Sequence, residues 1–496
     1  MNNNYKSGVA TIGITGGTFI GFNPAAIPEG TGTSYVVGEC TADSSTGSVV
    51  VSAATAQTDE HAAEVNGMYF KSLDIAFKAA NKGATVKLLK DVNGNITVPA
   101  LTNAVLDLNG YTIDGGTALG KAALTNYGTI LITDNSEAGT GMIKRSDTGS
   151  PAYYTIQNEG VMTIAGGNVW NDSGYSDQWS GSSLICNGLK NAATLTISGG
   201  NISQGNFIAV KNDEKGTLSI TGGTITSNTQ AVQNWCEAEI SGGELTGDVT
   251  TWAYSNIAGK TDITGGTING DVGVYWYGED SSYPTESGAN PIAEIKGGTV
   301  TGSLIKGITT TGSDTRPTTA ENAQGDIGVS GGKFENPVNE LYLDDSLVYQ
   351  AKDANGTYTY HDMLEKAIAA AGIGGEVSAV TGENRVVYTV TLKYNNGQTD
   401  SVNTYIQNET ITLPTPTNSG YIFLGWRDNN NVTHKAGEAV IITAPDASSV
   451  STWATNAMTW AMNIGLVEGD ENGAVTPTAT ATRAQAAALI MRCLEA

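Results

Sequence analysis

The sequence predicts a mainly β chain built as a solenoid, in which short strands stack in successive rungs. A Gly-Gly pair keeps recurring, each time with an isoleucine or valine two residues before its first glycine. The pairs begin at Gly16, Gly166, Gly199, Gly222, Gly242, Gly265, Gly297 and Gly331. From Gly166 onward the intervals are 33, 23, 20, 23, 32 and 34 residues, which is typical of stacked repeats. The 63 glycines and frequent Thr, Ser, Asn and Val also favour short strands and tight turns.

Each rung has three parts. An alternating strand such as Thr217–Ile220 points every second side chain inward, and the Gly pair then bends the backbone where a Cβ would crowd the next rung. A short strand such as Thr224–Thr226 follows. The third segment ends in an asparagine, at Asn126, Asn158, Asn187, Asn212 and Asn234. An asparagine amide can bond to the same amide one rung away, so this placement favours an internal ladder; unrelated turn asparagines are the alternative.

These features, over residues 85–335, resemble the right-handed parallel β-helix of pectin-lyase-like surface proteins. Residues 69–80 have helical spacing, with Leu73, Ala76, Phe77 and Ala80 on one face, and are predicted to cap the open end of the apolar core. We therefore predict a capped β-helix at 58–345. Residues 1–57 are interpreted as the end of an upstream β-helix repeat with an exit segment, so we expect the chain to begin inside a longer solenoid. Residues 360–371 resemble the cap, which predicts a cap-like remnant or linker at 346–383.

A small β module is predicted at 384–445. The strand Val386–Leu392 and the turn Asn395–Gly397 precede a Leu-Pro pair, a Gly-Tyr-x-Phe-x-Gly-Trp segment ending at Trp426, and a Lys-Ala-Gly segment. This pattern resembles the internalin-type B repeat, a β-grasp-like module of bacterial surface proteins. Trp426 and Tyr421 are candidate ligand contacts, but core packing is the favoured interpretation.

Residues 446–496 predict an α-helical module. Trp453–Ala461 has helical spacing, and a second helix opens at Thr482, which fits as its N-cap. The segment Thr482-Arg483-Ala484-Gln485 resembles the Thr-Arg-Ala-Glu signature of S-layer homology modules, with Gln485 at the glutamate position. The resemblance implies binding of secondary cell-wall polysaccharide by Thr482, Arg483 and Gln485. A guanidinium holds a carboxylate through two parallel bonds, so Arg483 is the anion-binding candidate, and a structural arginine is the alternative. The family commonly assembles three such modules, whereas this sequence has one.

Composition and charge limit the function classes. The net charge is −24, and the chain has no basic stripe, which disfavours nucleic-acid binding because phosphates attract Lys and Arg. No apolar stretch has the ~20 residues needed to span a bilayer, and no signal peptide is visible. Three histidines and four scattered cysteines form no zinc-type cluster, so we expect no metal and no cofactor. Cys186 and Cys236 are expected either to lie in nearby rungs or to be separate buried thiols, and separate buried thiols are favoured.

Some parallel β-helices are polysaccharide lyases or glycoside hydrolases, which need clustered carboxylates. Acidic residues occur at Asp213-Glu214, Glu237 and Glu239, Asp248, and Glu279-Asp280. We find no carboxylate position repeated on neighbouring rungs, so these side chains are interpreted as solvated turn charge. The sequence therefore predicts no catalytic residues.

Aromatic residues are concentrated between Trp170 and Tyr283. Several follow a Gly pair by about ten residues, which predicts that they line one face across adjacent rungs. A strip of aromatic rings on a rigid sheet stacks sugar rings or protein partners. The predicted ligand face consists of Trp235, Trp252, Tyr254, Tyr275 and Trp276. Rings that merely cover loop ends are the alternative.

The favoured functional hypothesis is a non-catalytic, extracellular protein anchored to the cell wall, an adhesin or display scaffold for host or community glycans or proteins. A secreted β-helix lyase or hydrolase is the first alternative. A phage tail or appendage component is the second, and the wall module argues against it.

Overall fold

The structure is a computed structural model. It describes residues 12–26, 34–45, 47–80, 83–118, 120–145, 154–171, 183–204, 206–254, 256–278, 289–310, 318–319, 323–380, 385–395, 397–406, 409–417, 422–428 and 432–442. The chain divides into two compact units, Met1–Val329 and Ser330–Ala496. It is mainly β with one large sheet, as the sequence predicts, and it is consistent with a β-solenoid.

The first unit opens with a small antiparallel sheet and a helical element. The strands Gly17–Phe19, Val49–Ser52 and Thr41–Asp43 pair in that order. A hairpin of Ala63–Val65 and Met68–Phe70 then leads into helix α1, Leu73–Ala79, and Ala84–Leu88 pairs antiparallel with the first hairpin strand. The predicted helix is therefore present but shorter, because residues 68–70 belong to the hairpin. Leu73, Ala76 and Phe77 are buried as predicted.

Most of the first unit consists of three ladders of parallel strands. The first ladder contains Ala84–Leu88, Asn103–Asp107, Thr129–Thr133, Val161–Ile164, Ala193–Ile197, Lys260–Ile263, Ile292–Ile295 and Asp326–Val329. The second contains Val92–Asn93, Thr112–Asp114, Met142–Arg145, Asn168–Asn171, Asn201–Gln204, Thr267–Asn269 and Thr299–Val300. The third contains Ile96–Val98, Leu124–Asn126, Ile156–Asn158, Ser183–Asn187, Ile208–Asn212, Val272–Gly278 and Leu304–Thr310.

Two long strands, Gly216–Asn234 and Glu237–Tyr254, run through all three ladders and pair with each other in parallel. The short strands Ile257–Ala258 and Thr318–Thr319 add antiparallel pairings at the edge of the third ladder.

An apolar core runs beneath the ladders because side chains alternate along each strand. In the first ladder one inward position is isoleucine on seven successive strands, all buried: Ile132, Ile164, Ile197, Ile220, Ile240, Ile263 and Ile295. From Ile164 onward a Gly pair forms the corner after this strand. A Cβ on Gly222 would lie 2.5 Å from the carbonyl oxygen of Ser198 in the preceding rung, and Gly223 has φ +83°. The glycines are thus required by close approach and by a left-handed backbone.

The predicted asparagine ladder is confirmed in the third ladder. Asn126, Asn158, Asn187, Asn212 and Asn234 are fully buried. Each of the first four donates from Nδ2 to Oδ1 of the next, at 2.7–2.8 Å. The series ends where Asn234 donates to the Thr261 hydroxyl. Every buried amide thereby receives the partners that burial requires.

The second unit begins with Lys333–Phe334 and a 3₁₀ turn at Glu340–Tyr342. The hairpin Tyr349–Lys352 and Tyr358–His361 is followed by helix α2, Leu364–Ala371, and by Glu376–Ala379, which pairs antiparallel with the first hairpin strand. This is the element order found around α1, in agreement with the predicted cap-like segment. The predicted limits 58–345 and 346–383 remain predictions.

Three antiparallel pairs complete the described part of the second unit: Arg385–Leu392 with Ser401–Ile406, Thr410–Thr412 with Ala439–Ile441, and Trp426–Arg427 with Thr433–His434. Trp426 is buried, contacts the rings of Tyr394 and Phe423, and donates from Nε1 to the Pro414 carbonyl at 2.8 Å. The core role favoured for Trp426 is confirmed, whereas Tyr421 lies outside the described residues.

Candidate functional site

The predicted aromatic face lies on the outward side of the third ladder. Trp252 is in register with Tyr275, and the rings of Trp235 and Trp252 stack at 5.4 Å between centroids with 22° between their planes. The Trp252 and Tyr275 centroids are 5.1 Å apart. Tyr277 contacts Trp235, Trp252 and Tyr254 edge-on. The structure thus brings together four of the five predicted residues and adds Tyr277.

These rings are packed on the sheet rather than presented to solvent, which corrects the prediction of an exposed strip. Trp252 and Tyr275 are 2% and 1% exposed. Tyr275 lies flat over Gly273, whose missing Cβ would come within 2.5–2.6 Å of the ring. Only Trp235, Tyr254 and Tyr277 are half-buried, so the accessible part of the cluster is its rim.

Buried polar groups hold the two indoles in place. Trp235 Nε1 donates to Gln233 Oε1 at 3.0 Å, and Trp252 Nε1 donates to Thr250 Oγ1 at 2.8 Å. The Thr250 hydroxyl in turn donates to Gln230 Oε1 at 2.6 Å. Satisfied indole N–H groups are typical of tryptophans that serve packing.

Trp276 lies on the opposite side of its strand. It is in register with Ala253, is 3% exposed, and packs with Ala253, Ala289 and Ile308. Successive strand residues point to opposite faces, so Trp276 and Tyr275 do not share a surface. Trp276 is therefore removed from the predicted ligand face.

Titratable groups on the third ladder have structural partners. Lys211 Nζ lies 3.3 Å from Asp213 Oδ2. Glu159 accepts from the backbone N–H groups of Lys190 and Asn191. Burial, assisted by the Asp213 charge, raises the pKa of Cys186 to about 12, so its thiol is protonated at neutral pH. Cys40, Cys186 and Cys236 are free, which confirms separate thiols at the last two positions, but only Cys186 is buried as predicted and Cys236 is half-buried.

One carboxylate position is repeated on neighbouring rungs, and this corrects the sequence analysis. Glu239, Asp262 and Glu294 are in register on three adjacent strands of the first ladder. Each of these residues lies three positions before the first glycine of the Gly pair in its rung, so the repeat could have been found by counting back from the Gly pairs. Glu279 and Asp280 lie outside the described residues.

Two lysines balance the negative charges of Asp262 and Glu294 in this column. Lys260 Nζ is 3.3 Å from Asp262 Oδ2, and Lys296 Nζ is 2.6 Å from Glu294 Oε2 and 3.4 Å from Asp262 Oδ1. Although partial burial acts to raise it, the pKa of Asp262 is lowered by hydrogen bonds and charge from Lys260 and Lys296. The hydrogen bond with Glu294 raises the pKa of Lys296. In the described parts of the chain, no cluster of three His, Cys, Asp or Glu side chains is arranged to hold a metal ion.

The predicted wall-binding residues Thr482, Arg483 and Gln485 lie outside the described residues. Among the helices that are described, none is long and apolar enough to cross a bilayer.

Two family models match the chain. Residues 388–445 match the Listeria-Bacteroides repeat domain, and residues 445–487 match the S-layer homology domain. These stretches coincide closely with the modules predicted at 384–445 and 446–496. No curated protein and no solved structure matches the chain significantly. The S-layer homology match indicates a cell-surface or cell-wall-anchored protein.

Proposed function

We propose that the chain is a non-catalytic adhesin or display scaffold, held to the cell wall by its S-layer homology module. The single observation that carries the proposal is the match of residues 445–487 to that domain. The stack of ladders supports the adhesin or display role, because a solenoid offers a long, stiff surface on which binding groups keep fixed spacings.

We further propose that the three ladders form one right-handed parallel β-helix. The support is the parallel pairing between successive rungs, with a Gly pair between the first and second ladders in each rung from Val161 onward. A right-handed crossover is the rule for parallel strands of one sheet.

Wall binding is assigned to Thr482, Arg483 and Gln485. Thr482 as N-cap would place Arg483 at a helix N-terminus, where partial positive charge favours an anionic sugar substituent. The guanidinium would hold its carboxylate through two parallel bonds. Secondary cell-wall polysaccharide is the proposed partner.

The non-catalytic assignment is supported by the pairing of the carboxylate column. Glycoside hydrolysis needs one carboxyl group kept protonated and a second one left as base or nucleophile. Asp262 is instead held by Lys260 and Lys296, which lower its pKa and so favour its charged form, and Glu294 is ion-paired to Lys296. The same carboxylate column is also the observation that would favour the alternative, a polysaccharide lyase or hydrolase. That alternative would be established if the full chain released reducing or unsaturated ends from an acidic polysaccharide.

Sedimentation with purified cell-wall sacculi tests the anchor. Wild type is compared with Arg483→Ala, with a chain ending at residue 445, and with Arg427→Ala, an exposed arginine of the other module, as the matched control. We expect wild type and Arg427→Ala to sediment, Arg483→Ala to sediment weakly, and the shortened chain to stay in solution. Equal sedimentation of all four proteins would refute the anchor.

A further inference from the structure

The outward side of the second ladder carries a groove of about 370 Å³ around Trp170. Two columns of side chains form it across successive strands. One column is Thr112, Met142, Asn168 and Asn201, and the other is Lys144, Trp170 and Ser203. An indole thus lies between a lysine and a serine, beside amide and hydroxyl groups.

Trp170 is 37% exposed, and among the tryptophans that the structure describes it alone is an exposed residue. Its orientation is fixed by its strand, because the neighbouring Val169 is buried in the apolar core and alternation directs Trp170 outward. The register partners of Trp170 are Lys144 and Ser203, so the ladder supplies polar neighbours rather than an apolar cover. The indole is therefore accessible and directed outward from the sheet.

The polar side chains of the groove are also held in position. Asn168 Nδ2 donates to the carbonyl oxygens of Gly139 and Gly141, both at 3.1 Å, and Asn201 Nδ2 approaches Asn168 Oδ1 at 3.4 Å. Lys144 Nζ lies 3.3 Å from Asp114 Oδ2. The lysine charge is thus balanced locally, on a chain whose net charge is −24. This electrostatic balance disfavours a polyanionic ligand and suits a neutral one.

We propose that this groove binds a neutral hexopyranose glycan. The C–H face of a sugar ring would stack on the Trp170 indole, while sugar hydroxyls bond to Asn201, Ser203 and Lys144. Rigid aromatic anchors with a few placed polar groups are the usual composition of small-ligand sites. A protein partner fits less well, because specific interfaces bury about 1,200–2,000 Å² around an apolar centre. The neighbouring outward positions on the next rung are instead Thr224 and Thr226.

This inference rests on the proposed display function and names its ligand class. The test uses the full chain on an array of neutral gluco-, galacto- and manno-oligosaccharides, with polygalacturonate and sulfated oligosaccharides as charged probes. Calorimetry then measures affinity for the neutral oligosaccharide that binds best. We expect binding to a neutral class that does not weaken as salt rises, because screening acts on charged pairs.

The decisive variants are Trp170→Ala and Trp170→Tyr, which keeps a ring. Val161→Ala is the control, since Val161 is an exposed residue of the first ladder. We expect Trp170→Ala to weaken binding about tenfold or more, Trp170→Tyr to retain part of the affinity, and Val161→Ala to match wild type. Far-UV circular dichroism confirms that each variant is folded.

The inference would be overturned if wild type bound no neutral oligosaccharide or bound charged oligosaccharides only. It would also be overturned if Trp170→Ala bound the neutral oligosaccharide with unchanged affinity. Capture of a protein without any glycan binding would also overturn it. Sedimentation with sacculi separates the two proposals: the groove variants should sediment like wild type if the anchor lies in the C-terminal module. A failed anchor with intact glycan binding, or the reverse, therefore identifies which proposal is wrong.

Discussion

Asn187→Ala is the most direct test of the asparagine ladder. Asn187 is fully buried at the middle of the series. Its Nδ2 donates to Asn212 Oδ1 at 2.7 Å and to the Thr217 carbonyl at 3.1 Å, and its Oδ1 accepts from Asn158 Nδ2 at 2.7 Å. Truncation to alanine removes all three hydrogen bonds without altering the strand pattern.

The expected loss follows from these contacts. Three hydrogen bonds at about 1 kcal/mol net each give about 3 kcal/mol, and Asn212 Oδ1 also loses this donor inside the core, which adds about 1–3 kcal/mol. We therefore expect the opening free energy of the adjacent strands to fall by about 4–6 kcal/mol. Even the lower value corresponds to nearly a thousandfold faster amide exchange where exchange reports the opening equilibrium.

Hydrogen exchange followed by mass spectrometry on the full chain measures this loss locally. The strands to compare are Ile156–Asn158 and Ile208–Asn212, on either side of the substitution. Asn201→Ala is the matched control, because Asn201 is an exposed asparagine of the next rung and should change stability by no more than about 0.5 kcal/mol. If Asn187→Ala accelerates exchange no more than Asn201→Ala does, the amides do not stabilise the stack.

Three further predictions concern other parts of the chain. Gly222→Ala should destabilise the stack by about 1–3 kcal/mol, whereas Gly328→Ala, whose Cβ would meet nothing nearer than 4.0 Å, should change the urea midpoint little. Glu438 and then Asp428 raise the pKa of His434. The stabilisation that protonated His434 gives should therefore be complete below about pH 6.5 and be lost as pH rises through the raised pKa. Amide exchange in the Trp426–His434 hairpin, corrected for intrinsic rates, should show this pH dependence in wild type but not in His434→Gln. Iodoacetamide on the native chain should label half-buried Cys236 well before Cys186, as read by peptide mass spectrometry, and equal labelling would contradict the burial of Cys186.

The rung itself was predictable from the sequence because its determinants are local. From Ile164 to Ile295 a Gly pair marks the corner after each first-ladder strand, and the inward isoleucine stands two residues before it, as at Ile220 and Gly222. The asparagine series was predictable for the same reason, since a buried amide in a stack has few partners other than its own copy in the next rung. The start of α1 was misplaced, because helical spacing and a short hairpin strand overlap at Tyr69 and Phe70.

The aromatic face was not predictable from spacing alone. Trp235 follows Gly223 by 12 residues and Trp252 follows Gly243 by 9, yet their rings stack. Register shifts between Thr226 and Val232 absorb the difference. An error of one residue in the assumed register then places a side chain on the wrong face of the strand. The neighbours Tyr275 and Trp276, which lie on opposite faces, are an example.

In this chain, the strand register of a residue can therefore be predicted from the sequence only when the residue lies close to a Gly pair. Residues three before the first glycine or three after the second keep their register from rung to rung, and this places Glu239 above Asp262 and Trp170 beside Ser203. No insertion separates these positions from the corner, whereas the third ladder is reached through segments of variable length. Outward positions flanking the corners are thus where a solenoid of this kind holds binding groups at constant spacing. Trp170 is the aromatic residue at such a position, and for this reason the groove around it, rather than the packed ring cluster, is the surface to test for ligand binding.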